Sequence, residues 1–558
     1  MLAGILLLGL GLRLIGLGYG LPHVYNPDEI AIMNRALALS NNHFNPQNFL
    51  YPSLYFYALF AWEGAFAVIA RVVGLFDSFA AFERSYFVDP TWIFLAGRAL
   101  TAVCGTATIW ATWRLGVRVF DRTTGLVAAL LLAVLPLAVR DAHYVKHDVP
   151  ATLMVVLAHL ALARAITAGA ARVSWIIVGA LTGLAVSTHY YAVFVALPVA
   201  IGALTVRPPR AAVRLLTWAA AAAVIAFAAT SPFLLLHADL ARQDIIANRQ
   251  IVMDRVTGAR GPFGSLGFYL HALPSLSGAG PIAELALLGA LLPRLLNRVR
   301  VVVLLVFPIA FLLFIANTFP ATRYLNPILP FVALLAAGAI TYVQQLSRTV
   351  SIAGIVGAAL LVGFTAFTSI EQDVFFRQTD TRTLALDWIS REVPQTATIA
   401  VQPYSVPLRM SKPALVEALT AHLGSADRAT IKFQKQLALD PYPAPSWRVI
   451  YLGAGGLDVD RIYVDPAAFQ GGNGLAPLRN LAVEYVVLKK YNEPDASMTP
   501  LGAALERGAR RVAVFSPYRA DVPGDRLAAV APFLHNTDAR IDPALERPGP
   551  TIEIWKLD

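Results

Sequence analysis

Charged side chains are scarce in this sequence, and their scarcity excludes an ordinary soluble fold. Asp, Glu, Lys and Arg make up 14% of the 558 residues, whereas 57% are hydrophobic. Soluble domains carry about 25% charged residues. The composition therefore predicts an α-helical polytopic membrane protein.

Cysteine is nearly absent as well. The single cysteine, Cys104, excludes a disulfide within the chain and leaves the redox compartment undetermined. The formal net charge is +10, but the excess Lys and Arg of a membrane protein usually lies in cytoplasmic loops. We therefore expect no nucleic acid among the partners of this protein.

Long hydrophobic runs, in contrast, are abundant. A membrane-spanning helix needs about 20 predominantly apolar residues. Runs that approach this length predict about 11 transmembrane helices, at 1–19, 98–120, 124–139, 149–168, 174–188, 190–206, 212–235, 277–293, 301–317, 327–346 and 350–370. The first run has neither a basic n-region nor a small-residue cleavage site, so we expect a retained span that also serves as the targeting signal.

The distribution of arginine predicts the orientation. With the N-terminus inside and residues 20–97 as one large outer loop, every inner loop carries arginine, as the positive-inside rule requires. If the apolar segment 52–76 also spanned, all later loops would change sides, so we predict it to be a helix packed at the membrane surface or against the helical bundle. The chain is thus expected in the cell (inner or plasma) membrane. The inner-loop residues are Arg114, Arg118, Arg122, Arg164, Arg172, Arg207, Arg210, Arg214, Arg294, Arg298, Arg300 and Arg348.

The composition changes after about residue 370. Charges become frequent, long apolar runs stop, and helical patterns separate short β-rich runs at 398–401, 449–452, 485–488, 512–515 and 551–555. We predict two domains, a transmembrane domain at 1–370 and a soluble α/β domain at 371–558 on the outer face.

The segment Asn26-Pro27-Asp28-Glu29 follows the first span and allows two interpretations. Acidic residues near hydrocarbon are costly, so a pair at this boundary marks a functional site by default. The same residues are typical of a helix start, with Asn26 as the cap, Pro27 in the first position and acids in the first turn.

The second outer loop concentrates polar side chains between two spans. It reads Arg140-Asp141-Ala142-His143-Tyr144-Val145-Lys146-His147-Asp148. A solvated turn whose Asp148 caps the next helix would explain these residues. His143 and His147 are four residues apart and could instead bind a divalent cation together with Asp28 or Asp148, although this ligand set is incomplete.

Other outer segments carry cations and aromatic rings. Arg323 enters the membrane from the outside, where its expected partner is a phosphate or one of the carboxylates; the alternative is an interfacial anchor. His189-Tyr190 and the aromatic segment that contains Tyr51 and Tyr55 belong to the same face. These aromatic residues predict either an interfacial belt or a groove for a lipid or a sugar.

The combination of these features resembles the GT-C membrane glycosyltransferases. The nearest branch is family 39 with its bacterial relatives, the protein O-mannosyltransferase and lipid A aminoarabinose transferase type. The resemblance covers about 1–400 and implies a GT-C fold and inverting sugar transfer from a polyprenyl phosphate. It assigns the family's acidic pair to Asp28 and Glu29, its second-loop acid to Asp148 and its lipid-phosphate arginine to Arg323. Relatives often have lysine at the positions of Tyr51 and His189.

We therefore expect an enzyme that transfers a sugar from a polyprenyl-phosphate donor to a hydroxyl acceptor on a protein, lipid or glycan. No cofactor is firmly required, and a divalent cation at His143 and His147 is one option. A transporter or lipid flippase is the alternative, but it predicts polar groups near the bilayer midplane in paired halves. The expected catalytic residues are Asp28, Glu29 and Asp148; the donor-phosphate residues are Arg323, Tyr324, His189 and Lys146; the substrate-groove residues are Tyr51, Tyr55, Tyr190 and Asp141.

Overall fold

The computed structural model describes residues 1–206, 209–275, 278–292, 297–346, 348–456, 458–470, 474–534 and 541–557. Two of the predicted inner-loop arginines, Arg207 and Arg294, and both end residues of the predicted span 277–293 lie outside the described residues.

The first 230 residues are almost entirely helical. Proline or a polar cap begins several helices, as in α6, where the Asp121 carboxylate accepts a hydrogen bond from the Thr124 amide. The 3₁₀ turns Asp141–His143 and Tyr190–Val195 connect helices of this half. The helices are α1 (Leu2–Leu14), α2 (Pro27–Ala38), α3 (Leu54–Val72), α4 (Phe79–Val88), α5 (Thr91–Val119), α6 (Arg122–Ala133), α7 (Pro136–Arg140), α8 (Asp148–Ala168), α9 (Arg172–Thr188), α10 (Ala196–Leu204) and α11 (Pro209–Thr230).

The second part of the membrane domain continues this pattern. A π-helical turn at Gln250–Asp254 joins two of its helices, and a 3₁₀ turn at Thr322–Ile328 leads into another. The helices are α12 (Pro232–Leu236), α13 (Ala238–Arg249), α14 (Arg255–Arg260), α15 (Leu266–Ala272), α16 (Pro281–Leu291), α17 (Arg298–Leu304), α18 (Val306–Ile315), α19 (Leu329–Val343) and α20 (Arg348–Phe376).

Apolar helices of spanning length confirm a polytopic helical architecture. Within the described ranges, seven helices are long and apolar enough to cross a membrane, or eight if the bent pair α6–α7 forms one span. The eleven predicted spans correspond to six of the seven, the bent pair, and the shorter apolar helices α1, α9, α16 and the segment Tyr190–Leu204. The remaining long helix is α3, which the arginine pattern predicts at the membrane surface or against the helical bundle. The number of eleven spans therefore stays a prediction.

Small residues allow close packing between helices α9 and α11. A Cβ atom added at Gly179 would lie 2.0 Å from the carbonyl oxygen of Ala219, and one at Gly183 would lie 2.2 Å from that of Ala223. Two small residues four apart let helix backbones approach in an apolar medium, where dispersion rather than water exclusion drives association. The alanine-rich composition of these runs thus serves packing.

A buried arginine stabilises the break between α6 and α7, which meet at 64°. Pro136 begins α7, so the last carbonyl groups of α6 lose their helical donors. Arg13 of α1 donates through Nη1 to the Ala133 carbonyl at 3.0 Å and through Nη2 to the Leu132 carbonyl at 3.4 Å. This pairing explains a charged residue, 1% exposed, within an apolar helix.

The C-terminal part forms an α/β domain around one six-stranded sheet. The strand order is β3-β2-β1-β4-β6-β5; strands β3 to β4 are mutually parallel, and β6 is antiparallel to both its neighbours. All five β-rich runs expected from the sequence are strands. The elements are α21 (Thr381–Glu392), β1 (Thr398–Val401), α22 (Lys412–Leu423), α23 (Ile431–Leu437), β2 (Arg448–Leu452), β3 (Ile462–Val464), α24 (Ala476–Arg479), β4 (Val483–Lys490), α25 (Thr499–Gly508), β5 (Ala509–Phe515), α26 (Gly524–Leu527) and β6 (Thr551–Leu557).

The C-terminal domain contacts the segment 20–97 at two places. Arg382 stacks on the Tyr25 ring at 3.8 Å, and the Tyr25 hydroxyl lies 2.6 Å from that of Thr383. On α4, Arg84 donates to the carbonyl groups of Asp440 and Pro441 at 3.0 and 3.1 Å. These contacts hold the α/β domain against the helices that carry the acidic pair.

Candidate active site

The acidic pair lies in the first turn of α2, and the helix directs its two carboxylates to different places. Asn26 caps the helix by accepting a hydrogen bond from the Asp28 amide at 3.1 Å, and Pro27 takes the first position. Adjacent residues on an α-helix point about 100° apart. The Asp28 side chain is 39% exposed, whereas that of Glu29 is fully buried. Both interpretations of the sequence are thus compatible, since the residues begin a helix and one of them faces an open pocket.

Glu29 forms a buried, bidentate ion pair with Arg98 of α5. Its two carboxylate oxygens accept from Nε and Nη2 of Arg98, each at 2.9 Å, and Oε1 also accepts from the Val145 amide at 2.9 Å. Arg98 donates in addition to the carbonyl groups of Leu17 and Tyr19. This network ties α2, α5, the end of the first span and the second loop together, so Glu29 is placed to position these elements.

Asp28 meets two cations that come from distant parts of the chain. Its Oδ2 atom lies 3.0 Å from Nη1 of Arg323 and 3.1 Å from Nζ of Lys146. Burial and the nearby Arg323 charge lower the pKa of Lys146, against the attraction of Asp28. The predicted partnership between Arg323 and an outer carboxylate is therefore present in the structure.

Arg323 owes its position to a polar network below the 3₁₀ turn that carries it. Arg140 donates to the Asp141 carboxylate at 2.8 Å and to the Thr322 hydroxyl at 3.2 Å. Asn326 donates to Asp141 and, at 3.0 Å, to the Arg323 carbonyl group. Asp141, which was expected in the substrate groove, is instead 3% exposed and stabilises this turn. Arg140 and Asn326 hold its carboxylate in this turn, and Asp141 is not among the side chains that line the pocket described below.

Aromatic rings and imidazoles pack beside the ion cluster. The His147 ring stacks on Tyr51 at 4.4 Å and meets the edge of Tyr55 at 4.7 Å. His189 stacks on Tyr191 at 3.7 Å and contacts Tyr51 edge-on at 5.2 Å. Burial lowers the pKa of His147 to about 3 and that of His189 well below its ordinary value, so both rings are neutral at pH 7.

These side chains line one small pocket. The pocket has a volume of about 40 Å³, enough for a few waters or for the reacting atoms of a ligand. His147 belongs to its wall and is 2% exposed, and neither of its ring nitrogens has a hydrogen-bond partner among the described residues. The lining residues are Asp28, Ala31, Ile32, Arg35, Tyr51, Lys146, His147, Asp148 and Arg323.

Several predicted residues lie beside the pocket rather than in its wall. Tyr55 is 2% exposed and its hydroxyl lies 3.2 Å from that of Thr101, which makes it part of the helix packing. Tyr190 donates to the Phe49 carbonyl at 2.9 Å. Tyr324 packs under the Arg323 guanidinium at 5.3 Å, where it supports the cation.

Arg35 is the charged pocket residue that sequence reasoning missed, beside the apolar Ala31 and Ile32. It follows Asp28 by seven residues on α2, and residues seven apart share one face of a helix. The spacing of these two charged residues is a signal in the sequence that connects Arg35 to the acidic pair.

The two histidines of the second loop do not come together as metal ligands. Both ring nitrogens of His143 are engaged by backbone carbonyl groups, Nδ1 by Val139 at 2.9 Å and Nε2 by Ile15 at 2.7 Å. His147 lies in the aromatic cluster on the other side of the loop. Across the part of the chain that the structure describes, no group of three or more His, Cys, Asp or Glu residues could hold a metal ion.

Comparison with known proteins identifies the architecture. A family model described as dolichyl-phosphate-mannose-protein mannosyltransferase matches residues 94–236, and no curated protein matches the chain. The structure of ArnT from Cupriavidus metallidurans bound to undecaprenyl phosphate aligns with a TM-score of 0.52 at 12% identity, covering 99% of this chain and 97% of that one. The oligosaccharyltransferase AglB from Archaeoglobus fulgidus aligns with a TM-score of 0.46 at 13% identity, covering 94% of this chain and 75% of that one.

The family match over residues 94–236 and the ArnT structure confirm the resemblance to GT-C membrane glycosyltransferases of the family-39 type. The fold of the chain, mostly helical with many apolar helices, is that of the ArnT structure. The family match covers α5 to α12 and includes the second loop with Lys146, His147 and Asp148.

Proposed function

We propose that this protein is an inverting glycosyltransferase that moves a sugar from a polyprenyl-phosphate donor to a hydroxyl acceptor. The observation that supports it most strongly is the meeting of one exposed carboxylate, Asp28, with two cations, Arg323 and Lys146, in a pocket among apolar helices. The family match and the ArnT structure, which contains undecaprenyl phosphate, support the same class of donor.

In this proposal Arg323 and Lys146 bind the donor phosphate. The donor phosphate is a diester with one negative charge, like a carboxylate, and its two free oxygens accept two parallel bonds from a guanidinium. It would compete with Asp28 for both cations and would release the Asp28 carboxylate toward the acceptor. His189 and Tyr324 flank this position and complete the expected donor-phosphate set.

The reaction is a single displacement at the anomeric carbon. The acceptor oxygen forms a bond to the anomeric carbon while the bond from that carbon to the phosphate oxygen breaks. The polyprenyl phosphate leaves with the electron pair, and its new charge is stabilised by Arg323 and Lys146. Asp28 accepts the proton of the acceptor hydroxyl. Attack opposite the leaving group inverts the anomeric carbon.

The other acids have supporting roles. Asp148 is 6% exposed in the wall of the pocket, close to Arg323 and Lys146, where its charge balances the two cations and orients the acceptor. Glu29 positions α2 through Arg98. Since Arg323 and Lys146 supply the positive charge that a metal would bring to phosphate, we propose that transfer does not depend on a divalent cation.

We propose that the site faces the extracytoplasmic side of the cell membrane, where lipid-linked donor, membrane lipids and acceptor meet. The arginines of the inner loops support this orientation. Single cysteines at Asn45 and Thr396, introduced after removal of Cys104, should react with an impermeant maleimide from outside intact cells. A cysteine at Ala170, between α8 and α9, should react only after lysis. Labelling of Asn45 or Thr396 only after lysis would contradict the orientation.

Binding of undecaprenyl phosphate to the purified protein tests the donor site directly. Arg323→Ala should weaken binding at least ~10-fold, because removal of one charge-assisted bond costs about 1.5–3 kcal/mol. Arg323→Lys should restore it only in part. Arg249→Ala, which removes an exposed ion pair with Asp254, is the control and should bind as the unmodified protein does. Equal binding by Arg323→Ala would assign Arg323 to the role of an interfacial anchor.

A further inference from the structure

A second, larger cavity borders a different face of α2 from the ion cluster. Its volume is about 780 Å³, within the range of roughly 300–1,000 Å³ that ligand pockets occupy. Arg35 of α2 borders the small pocket and its neighbour Asn34 borders the large one. The two spaces therefore border different faces of α2.

The walls of this cavity come from both domains. Helices α2, α3 and α4 form one side, and the C-terminal domain closes the other with Thr430, Ile431, Lys432 and Lys435 at the start of α23. Lys435 forms an ion pair with Glu83 of α4 across the mouth. The C-terminal domain thereby completes a cavity that the membrane domain alone leaves open.

The lining combines amide groups with aromatic rings. Amide side chains come from Asn34, Asn41, Asn42 and Gln47, and Ser40 adds a hydroxyl. Phe60, Phe82, Tyr86 and Phe87 supply rings. Amides donate to and accept from hydroxyl groups, whereas ring faces cover the C–H faces of a sugar. This is the composition of a site for a neutral, hydroxyl-rich ligand.

A buried carboxyl group adds an unsatisfied polar partner. Glu63 of α3 is 1% exposed in the cavity wall, and neither of its carboxylate oxygens has a hydrogen-bond partner among the described residues. Buried polar atoms are almost always paired, so such a group needs a specific reason. Both oxygens are covered by protein, so a ligand hydroxyl would reach them only after the Glu63 side chain rotates toward the cavity.

We propose that this cavity binds the neutral carbohydrate portion of the glycosyl acceptor. The inference rests on the proposed transfer at Asp28 and names the acceptor class, a glycan rather than a peptide or a phosphorylated lipid. Asn34 follows Asp28 by six residues, about 9 Å along the helix axis. A glycan held in the cavity can therefore extend one hydroxyl around α2 to the carboxylate.

Gly64 provides a variant that fills the cavity. It lines the space, and a Cβ atom added there meets no atom within 4 Å, so Gly64→Phe is compatible with the fold. Gly363→Phe is the matched control, because Gly363 in α20 is equally unobstructed and lies outside both pockets. The double variant Asn41→Ala/Asn42→Ala removes two amides of the lining without adding bulk.

The experiment measures binding of neutral di- and trisaccharides, built from common hexoses and pentoses, to the full-length protein in nanodiscs by saturation-transfer NMR. Undecaprenyl phosphate binding is measured in parallel. We expect at least one saccharide to bind and Gly64→Phe to weaken it at least ~10-fold, with Asn41→Ala/Asn42→Ala weakening it several-fold. Gly363→Phe should bind the saccharide normally, and undecaprenyl phosphate binding should be unchanged in all variants.

The outcomes separate the two proposals. Absence of saccharide binding, or equal binding by Gly64→Phe, overturns the glycan assignment. Binding of a peptide or of a lipid phosphate that Gly64→Phe blocks overturns it as well, in favour of that ligand. If the unmodified protein does not bind undecaprenyl phosphate, the proposed donor site is contradicted, whereas the assignment of the large cavity to a saccharide is unaffected.

Discussion

Substitution of Glu29 tests whether this residue of the acidic pair stabilises the fold rather than acting in catalysis. Its ion pair with Arg98 is bidentate and both side chains are at most 1% exposed. Removing one partner of such a buried pair lowers the free energy of unfolding by about 3–5 kcal/mol, because the remaining charge is buried with neither a counter-charge nor water around it. Glu29→Ala also deprives the Val145 amide of its acceptor. We therefore expect Glu29→Ala to destabilise the fold by about 3–5 kcal/mol.

The pair can be examined as a double-mutant cycle. Replacing both partners with apolar residues of similar size is often close to neutral, so Glu29→Leu/Arg98→Met should recover most of the loss. Recovery will be incomplete, because the carbonyl groups of Leu17 and Tyr19 lose their donor. The conservative Glu29→Gln keeps one acceptor oxygen and should cost less than Glu29→Ala.

Thermal unfolding of the purified protein in detergent, followed by tryptophan fluorescence, measures these effects. Glu417→Gln is the matched control, since its bidentate pair with Arg448 is 46% and 30% exposed and should contribute at most about 1 kcal/mol. If Glu29→Ala unfolds like this control and yet abolishes transfer, Glu29 acts in catalysis and the structural assignment is wrong.

Three further predictions concern the pocket. Lys146→Met should weaken undecaprenyl phosphate binding more than Lys146→Arg, as equilibrium binding would show; equal effects would mean that charge is unimportant there. Transfer should persist in EDTA, since Arg323 and Lys146 neutralise the phosphate; a complete loss that Mg²⁺ or Mn²⁺ restores would establish a metal requirement. Burial holds the pKa of His147 at about 3, so the ring stays neutral between about pH 5 and 8. His147→Phe should therefore leave the pH profile of transfer unchanged in this range. If the unmodified protein shows an inflection near pH 6.5 that His147→Phe lacks, the ring titrates and the prediction is wrong.

Much of the fold follows from composition and periodicity. The spans, the change of composition near residue 370 and the five longest strands are all local signals. The strand β3 (Ile462–Val464) was missed because three residues at a sheet edge carry too little pattern. Pro136 indicates a break between α6 and α7, which meet at 64°. The stabilisation of this break by Arg13 could not be predicted, because Arg13 and Ala133 are 120 residues apart in sequence.

The site was predictable where chemistry alone selects the partner. A cation entering from the outside needs an anion, and Arg323 meets Asp28. Glu29 and Asp141 could not be assigned in this way, because their partners Arg98 and Asn326 are brought to them only by the packing of distant helices. Asp28 and Glu29 look equivalent in the sequence. In the helix they point about 100° apart, so that Asp28 faces the pocket and Glu29 faces Arg98.

The central claim is that Asp28 accepts the proton of the attacking hydroxyl. The measurement is the rate of sugar transfer from a polyprenyl-phosphate donor by purified Asp28→Asn, with undecaprenyl phosphate binding and thermal stability as controls. Asparagine keeps the size of the side chain but accepts no proton. We predict a folded protein that binds undecaprenyl phosphate and transfers at least ~100-fold more slowly, the lower end of general-base contributions. Near-normal transfer by Asp28→Asn, with Asp148→Asn inactive, would contradict this claim and assign the base to the second loop.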